Sequence, residues 1–309
     1  MRALSRLSAI RDSRQVVRSL FLSSAARTGL PDRPGFTLAE AVADVGAGEA
    51  ETVRSWLAVG VALGELRLRD GRYLPRGRRW RAIAADPFLR DHYRSVTEYQ
   101  TGTYDALLSG AERGDLGEFA ATIAGVSRAA EPFTARFVRA SVPPDARVLD
   151  VGCGTGVYLR AALDGRANTG VGIDLSPEVV AGAAANLTAW GLDGRASVEA
   201  ADLREYTGGP FGAVTLLNCV YYFRPTELAG VFAHVRSLLA PGGRLVLVTM
   251  ARENAVAAAH LDLMLRVQDV PAGLHTMGAI ATAMREAGFG PGRARRLVPG
   301  QPFWGLTAS

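Results

Sequence analysis

The stretch VLDVGCGTG, Val148 to Gly156, restricts the possible folds of this chain more than any other. An apolar strand runs straight into a loop with Gly152, Gly154 and Gly156, and a helix follows. Glycine lets the backbone turn tightly and lets a ligand approach main-chain N–H groups closely. Such a loop belongs at the carboxyl end of a strand, where open α/β sheets bind ligands. From Arg147 onward strand and helix alternate, which predicts a doubly wound parallel sheet. The expected strands are Val148–Val151, Val171–Asp174, Ala196–Ala200, Ala213–Val220 and Leu245–Met250. Ser176 and Pro177 should open the helix after the second strand, and Gly191 should close it. The helix after the fourth strand places Leu228, Val231, Phe232, Val235, Leu238 and Leu239 on one face, and Pro241-Gly242-Gly243 should stop it. The end of the chain reads helix (Ile280–Ala287), strand (Arg295–Val298), strand (Phe303–Thr307).

The loop spacing narrows the ligand. A dinucleotide loop reads G-x-G-x-x-G, with room for a pyrophosphate at the helix N-terminus. Here the spacing is G-x-G-x-G, preceded by Asp150, which argues against a dinucleotide-dependent oxidoreductase. The second strand ends in Asp174, 18 residues past Gly156. An acid there can accept both ribose hydroxyls of a nucleoside. The third strand ends in Ala201-Asp202-Leu203, where a carboxylate can take an adenine amine and Leu203 can pack the ring. Cys153 reads as a small apolar side chain filling a tight turn. Cys153 and Cys219 cannot form a disulfide framework and have no clustered histidines, so no metal site and a reducing compartment are expected.

A chain of 309 residues suggests about two domains, and the N-terminal part has a different character. All 35 basic residues are Arg, a compositional bias rather than a function. Residues 1–90 carry a net charge of +7 and the remainder −2. MRALSRLSAIR reads as a solvated amphipathic helix start, though its three Arg resemble a transit peptide in miniature. No secretory signal is visible, and no run of 18 apolar residues exists to span a membrane. An apolar helix near Val16–Ala26 is broken by Pro31, Pro34 and Gly35. Thr37 caps a short helix. A third helix begins after Gly48 with Val53, Trp56, Leu57 and Val61 on one face. In GELRLRDGRYLP, residues 64–75, Asp70-Gly71 marks a hairpin turn. Helix–helix–helix–hairpin is the outline of a winged helix. RGRRWR, residues 76–81, is a basic run with one aromatic, and from Pro87 the pattern is helical to about Ala140.

Residues from about Arg147 to Val248 resemble the Rossmann-like (class I) S-adenosylmethionine-dependent methyltransferases. VLDVGCGTG matches their first motif, GIDLSP their second and AAD their third, while LLAPGGRLVLV resembles the stretch around their fifth strand. The resemblance implies a seven-stranded sheet whose last strand is antiparallel. It also implies that Gly152 and Gly154, with Cys153 and Gly156 in the same loop, line the methionine portion of the cofactor. Asp174, with Leu175 beside it, would hold the ribose, and Asp202 with Leu203 the adenine. Asp150 would orient the loop and the methionine ammonium. TLAEAVADVGAGEAETVRSWLAVGVALGELRLRDGRYLP resembles the winged-helix-like domains that precede the catalytic domain in small-molecule O-methyltransferases, where they mediate dimerisation and roof the acceptor pocket. The expected organisation is a winged-helix-like dimerisation domain (1–85), a helical linker or lid (86–142) and a methyltransferase domain (143–309).

A sulfonium methyl is already electrophilic, so alignment and water exclusion matter most, and a base only for acceptors such as hydroxyls. The resembled O-methyltransferases place a histidine base just after the fourth strand, where this chain has LNCVYYFRPTE with Tyr221 at that position. Tyr221 and His275 are the candidate catalytic residues. His260 offers a second histidine in the same insertion, His92 sits beside a Tyr-rich helix start, and His234 is expected to be solvated. Asn218 and Tyr221 emerge beside the expected methyl position. Tyr99 and Tyr104 are candidate caps on the cofactor, and Phe303 and Trp304 candidate pocket walls. The expected enzyme is cytoplasmic and dimeric, has no membrane partner, and methylates a small molecule. The alternative is a nucleic-acid-binding regulator or nucleic-acid methyltransferase using the basic N-terminal unit. Against it, the third helix carries Glu49, Glu51 and only Arg54, a poor major-groove reader.

Overall fold

A computed structural model of the chain describes residues 2–46, 49–109, 130–267 and 273–309. Gly48, most of the helical pattern expected between Ser109 and Ala130, and the side chain of Tyr99 lie outside the described residues. The chain divides into two compact units, Met1–Ala129 and Ala130–Ser309. That division places the helix over Glu131–Ser141 in the second unit, ahead of the expected start at 143.

The first unit opens with α1 (Arg2–Ala26), a short strand β1 (Phe36–Thr37), α2 (Leu38–Val45) and α3 (Ala50–Leu63). The hairpin strands are β2 (Leu66–Arg69) and β3 (Arg72–Pro75), and the small sheet runs β1-β3-β2. Local chemistry accounts for most boundaries. The Thr37 hydroxyl accepts the Glu40 N–H at 3.3 Å while Glu40 accepts the Thr37 N–H at 2.6 Å, a reciprocal capping box. Asp70 and Gly71 both have positive φ, 48° and 73°, as a two-residue hairpin turn matching the strand twist requires.

The basic run folds into α4 (Arg78–Ala85), followed by α5 (Pro87–Ser95), a π-helical turn (Val96–Gln100) and α6 (Thr101–Ser109). Trp80 is fully buried, with ring centroids 5.8 Å from Phe21 and 6.2 Å from Phe36. It is therefore a core side chain, closed to base stacking. Buried Glu65 holds this region together. Its carboxylate accepts the Trp80 N–H at 3.2 Å, and its carbonyl accepts the N–H groups of Arg76 and Gly77. Arg18 supplies the countercharge at 3.5 Å, as a buried carboxylate requires.

The second unit holds α7 (Glu131–Ser141), β4 (Arg147–Val151), α8 (Val157–Leu163), β5 (Thr169–Asp174), α9 (Pro177–Ala189) and β6 (Ala196–Ala200). It continues with β7 (Phe211–Leu217), a 3-10 turn (Val220–Tyr222), α10 (Leu228–Leu238), β8 (Leu239–Met250), α11 (Val256–Val267), α12 (Met277–Glu286), β9 (Arg293–Arg296) and β10 (Phe303–Ala308). The seven-stranded sheet runs β6-β5-β4-β7-β8-β10-β9. Its first five strands are parallel, and β10 is antiparallel to β8, as the resemblance implied. Alternation along the strands splits the core between two faces. Leu149, Val214, Leu216, Leu245 and Leu247 pack with α10 and α12. Val148, Ala213, Val246 and Val248 pack with α7 and α8.

Several boundaries differ from expectation: α1 starts at Arg2 rather than near Val16, β9 spans Arg293–Arg296 rather than Arg295–Val298, and two further shifts have a clear physical reason. β8 starts at Leu239, not Leu245. Helix α10 has already ended at Leu238, and Pro241-Gly242-Gly243 instead lie in a stretch of β8 where the register against β7 shifts. β7 stops at Leu217 rather than Val220, because Asn218 takes a left-handed φ of 56° and turns the chain. Among the described residues no helix is long and apolar enough to cross a membrane.

Close helix packing in the first unit yields a test. A Cβ on Gly60 of α3 would lie 2.3 Å from the Phe21 ring of α1. Gly60→Val is expected to destabilise this unit by about 1–3 kcal/mol, measured by urea unfolding.

Candidate cofactor and active site

The glycine loop sits between β4 and α8, at the carboxyl edge of the sheet. Gly152, Gly154 and Gly156 have φ of 65°, 52° and 80°, a region that favours glycine. A Cβ on Gly152 would press on Cys219 at 3.2 Å, whereas one on Gly154 would meet nothing within 4 Å and fill the open face of the loop. Side chains and strands hold the loop in place. The Cys153 N–H donates to the Ile173 carbonyl at 3.0 Å, the Gly154 N–H to Asp174 Oδ2 at 3.1 Å, and Asn186 Nδ2 to the Thr155 carbonyl at 3.0 Å. Cys153 is buried against Gly172, where a Cβ would come within 2.8 Å of it. Burial pushes the thiols of Cys153 and Cys219 up, so both stay protonated.

Asp150, the penultimate residue of β4, is only 1% exposed. Its Oδ1 lies 2.6 Å from the Thr215 hydroxyl, directly across the β4–β7 pair, and its Oδ2 has no hydrogen-bond partner among the described residues. Burial pushes this carboxyl up to about 7, against the opposing effect of the Thr215 hydrogen bond. A buried carboxylate oxygen without a partner among the described residues, beside the open glycine loop, fits a ligand that brings its own cation.

Asp174 ends β5, with Oδ1 accepting the Ser176 N–H at 3.2 Å. Leu175 beside it is 69% exposed, an apolar surface at the same edge. Asp202 follows β6. It accepts the Arg204 N–H at 2.9 Å and pairs with the Arg204 guanidinium at 3.2 Å, while Leu203 is buried. The three carboxylates thus stand at the ends of three adjacent strands. They are the acceptor set for a ligand with an ammonium, a ribose and an adenine amine, so the residues present fit S-adenosylmethionine.

The segment after β7 forms the next wall. The Asn218 N–H donates to the Val248 carbonyl at 2.8 Å. Tyr221 and Tyr222 lie in the 3-10 turn with ring centroids 5.0 Å apart, and burial pushes both phenols above their ordinary range. His275 is only 4% exposed, and its Nε2 lies 3.0 Å from the Phe223 carbonyl. Because a carbonyl only accepts, Nε2 carries the proton. Burial lowers the His275 pKa, so the ring is neutral and braces the turn from behind.

The other expectations fall elsewhere. His234 is half-buried, its Nε2 3.0 Å from the Tyr206 carbonyl, rather than solvated, because α10 packs that side against the segment after β6. His260 lies on α11 and burial lowers its pKa. Phe303 is buried among Val246, Val248 and Phe137, and Trp304 Nε1 donates to Glu253 at 2.7 Å. His92 and Tyr104 belong to the first unit, as does the backbone of Tyr99. Sequence reasoning passed over Thr215, Asn186 and Arg204. Thr215 was findable as the polar residue in an otherwise apolar strand, and Arg204 as the cation two residues past Asp202.

Residues 148–243 match a family model described as a methyltransferase domain. Among solved structures, the chain is similar to an O-methyltransferase family protein from Burkholderia thailandensis at 22% identity and a TM-score of 0.77, over 99% of this chain and 97% of that one. It is similar to mitomycin 7-O-methyltransferase MmcR at 16% identity and a TM-score of 0.78, with the same coverage. It is also similar to human N-acetylserotonin methyltransferase, solved with S-adenosylmethionine, at 14% identity and a TM-score of 0.74, over 100% of this chain and 97% of that one. These likenesses are likenesses of fold. No curated protein matches the sequence.

The raised Asp150 pKa has a definite sign. The carboxyl keeps its proton to about pH 7 when folded but loses it near its ordinary 3.8 when unfolded, so it weakens the unliganded fold as pH rises between those values. Asp150→Asn is expected to match the parent near pH 4 and exceed it in stability at pH 8, measured by denaturant unfolding without ligand.

Proposed function

We propose that this S-adenosylmethionine-dependent methyltransferase alkylates a small-molecule acceptor. The observation that carries the reading is the unpartnered Oδ2 of buried Asp150 beside the left-handed glycine loop. Support for a small acceptor comes from the fold's likeness to mitomycin 7-O-methyltransferase and N-acetylserotonin methyltransferase. The bound cofactor would supply an electrophilic methyl on a sulfonium. This chain's residues do the rest. Asp150 Oδ2 receives the ammonium of the methionine portion, which favours the ionised carboxylate. The loop from Gly152 to Gly156 lies along that portion. Asp174 accepts from the ribose hydroxyls with lone pairs left by its two backbone partners. Asp202 accepts from the adenine amine, flanked by Leu175 and Leu203. Asn218, Tyr221 and Tyr222 line the acceptor side, where the neutral rings of half-buried Tyr221 and more exposed Tyr222 help to keep water from the reacting atoms. His275 sets the position of Tyr221 and Tyr222 through the Phe223 carbonyl.

Residues 1–85 are read as a winged-helix-like dimerisation domain and residues 86–142 as a linker or lid, with Tyr99 and Tyr104 as candidate caps on the cofactor. Exposed Val16, Val17 and Leu20 on α1, with Val61 and Leu68, support a self-association face. A cytoplasmic location is supported by Cys153 and Cys219, both free and buried. The nucleic-acid reading is disfavoured, because the aromatic of the basic run is fully buried and Arg54 on α3 is paired with Glu51 at 3.2 Å.

Incubation with methyl-labelled S-adenosylmethionine and an extract of the source cells is expected to label the small-molecule fraction. Label confined to nucleic acid or protein would overturn the reading. S-adenosylhomocysteine should bind in calorimetry, and Asp174→Ala should weaken it roughly 10- to 100-fold, the worth of charge-assisted hydrogen bonds. Light scattering at micromolar concentration is expected to give twice the chain mass; a monomer mass would refute the dimer.

A further inference from the structure

Arg204 makes a set of contacts that neither the methyl transfer nor the fold accounts for. It stands two residues beyond Asp202, in the turn after β6. Its Nη1 lies 3.2 Å from Asp202 Oδ2 and 3.4 Å from Oδ1. Its Nη2 reaches Glu227 Oε1 at 3.3 Å, and its guanidinium carbon lies 5.0 Å from the centroid of the Phe223 ring. Phe223 and Glu227 both belong to the segment after β7 that begins with Asn218 and holds Tyr221 and Tyr222. Glu227 also accepts the Arg224 N–H at 2.7 Å, so the segment is folded back on the same carboxylate. His275 grips the Phe223 carbonyl. A planar guanidinium can lie on a ring and reach two carboxylates in different directions; an ammonium cannot do all three.

We propose that Arg204 is a positioning residue that couples the adenine subsite to the acceptor-side turn. The proposal rests on the reading of Asp202 as the adenine carboxylate. Asp202 has lone pairs beyond those that Arg204 uses. An adenine amine on one of them fixes the carboxylate and removes water from it, which strengthens its pairing with Arg204. Arg204 held on Asp202 is also held against Phe223 and Glu227, so the tyrosine turn is ordered when the cofactor is in place. The coupling is reciprocal: an acceptor that orders the turn strengthens the grip on adenine. Each ion pair is half-exposed and weak alone, with side chains 42%, 32% and 36% exposed for Arg204, Asp202 and Glu227, so the effect depends on the three contacts acting together.

The test is amide hydrogen exchange on the full chain, with and without saturating S-adenosylhomocysteine. In the parent protein the ligand is expected to slow exchange about tenfold both over residues 152–156 and over residues 220–227, within the usual range of coupling between sites. In Arg204→Ala the protection over 152–156 should persist while that over 220–227 falls below about twofold, and Arg204→Lys should restore part of it. Because the readout is the ratio of liganded to free exchange, a variant that merely loosens the turn does not mimic the result. Glu227→Gln, which weakens the far end of the bridge, should lower the same ratio and serves if Arg204→Ala fails to fold. Undiminished protection of 220–227 in these variants overturns the proposal, as does protection of 152–156 alone in the parent; both leave the cofactor reading standing. No protection of either segment in the parent overturns the cofactor reading and the proposal with it.

Discussion

Asp150 is a carboxylic acid at the end of a buried strand, in surroundings that do not solvate its charge. Thr215, from the neighbouring strand, satisfies one oxygen, and the other has no partner among the described residues. The second unit is arranged around this group. The glycine loop departs from the next residue but one, tied to β5 through Ile173 and Asp174, and Cys219 at the end of β7 packs under Gly152. A protein gains no stability from an unpaired buried carboxyl. A ligand whose cation completes the group, as we propose, would offset that cost, while without ligand the same group makes the fold weaker at and above neutral pH.

Parallel strand order places the remaining chemistry. Asp150, Asp174 and Asp202 are far apart in the chain, but β4, β5 and β6 are adjacent, so the residues at or just past their carboxyl ends face one edge. On the other side of β4, β7 ends in a left-handed Asn218 and delivers Tyr221 and Tyr222 to the same edge. The tyrosine turn has little regular structure of its own. Arg204 holds it from the β6 side and His275 from the insertion that follows β8.

The first unit solves a different problem. Through its small core runs a chain of aromatic contacts, Trp56 to Phe21 to Trp80 to Phe36 to Tyr73, packed among aliphatic side chains. Its Arg-rich stretch becomes a helix because Glu65 accepts the first free N–H groups and Trp80 buries its indole. The positive charge of residues 76–81 is therefore carried on the outer face of a packed helix rather than on an extended basic arm.

Local patterns sufficed for much of this molecule. The glycine loop, the alternation of strand and helix, the Thr37 and Ser176 caps and the Asp70-Gly71 hairpin each follow from the conformational limits of a few adjacent residues, and the structure has them all. The positions of Asp150, Asp174 and Asp202 along one sheet edge were readable because strand ends are readable. Three features were not. The bulge in β8 depends on its pairing with β7, so Pro241-Gly242-Gly243 alone looked like a helix stop. The surroundings of the histidines were not readable, because a sequence does not say which carbonyl a ring will meet; Phe223 and Tyr206 lie 52 and 28 residues from His275 and His234. The raised pKa of Asp150 and the reach of Arg204 come from burial and from contacts across strands, which exist only once the sheet has formed. The residues by themselves determined the elements and the ligand's chemical character. Tertiary packing decided which polar atoms are satisfied, because desolvation and long-range pairing depend on neighbours that the chain brings together only by folding.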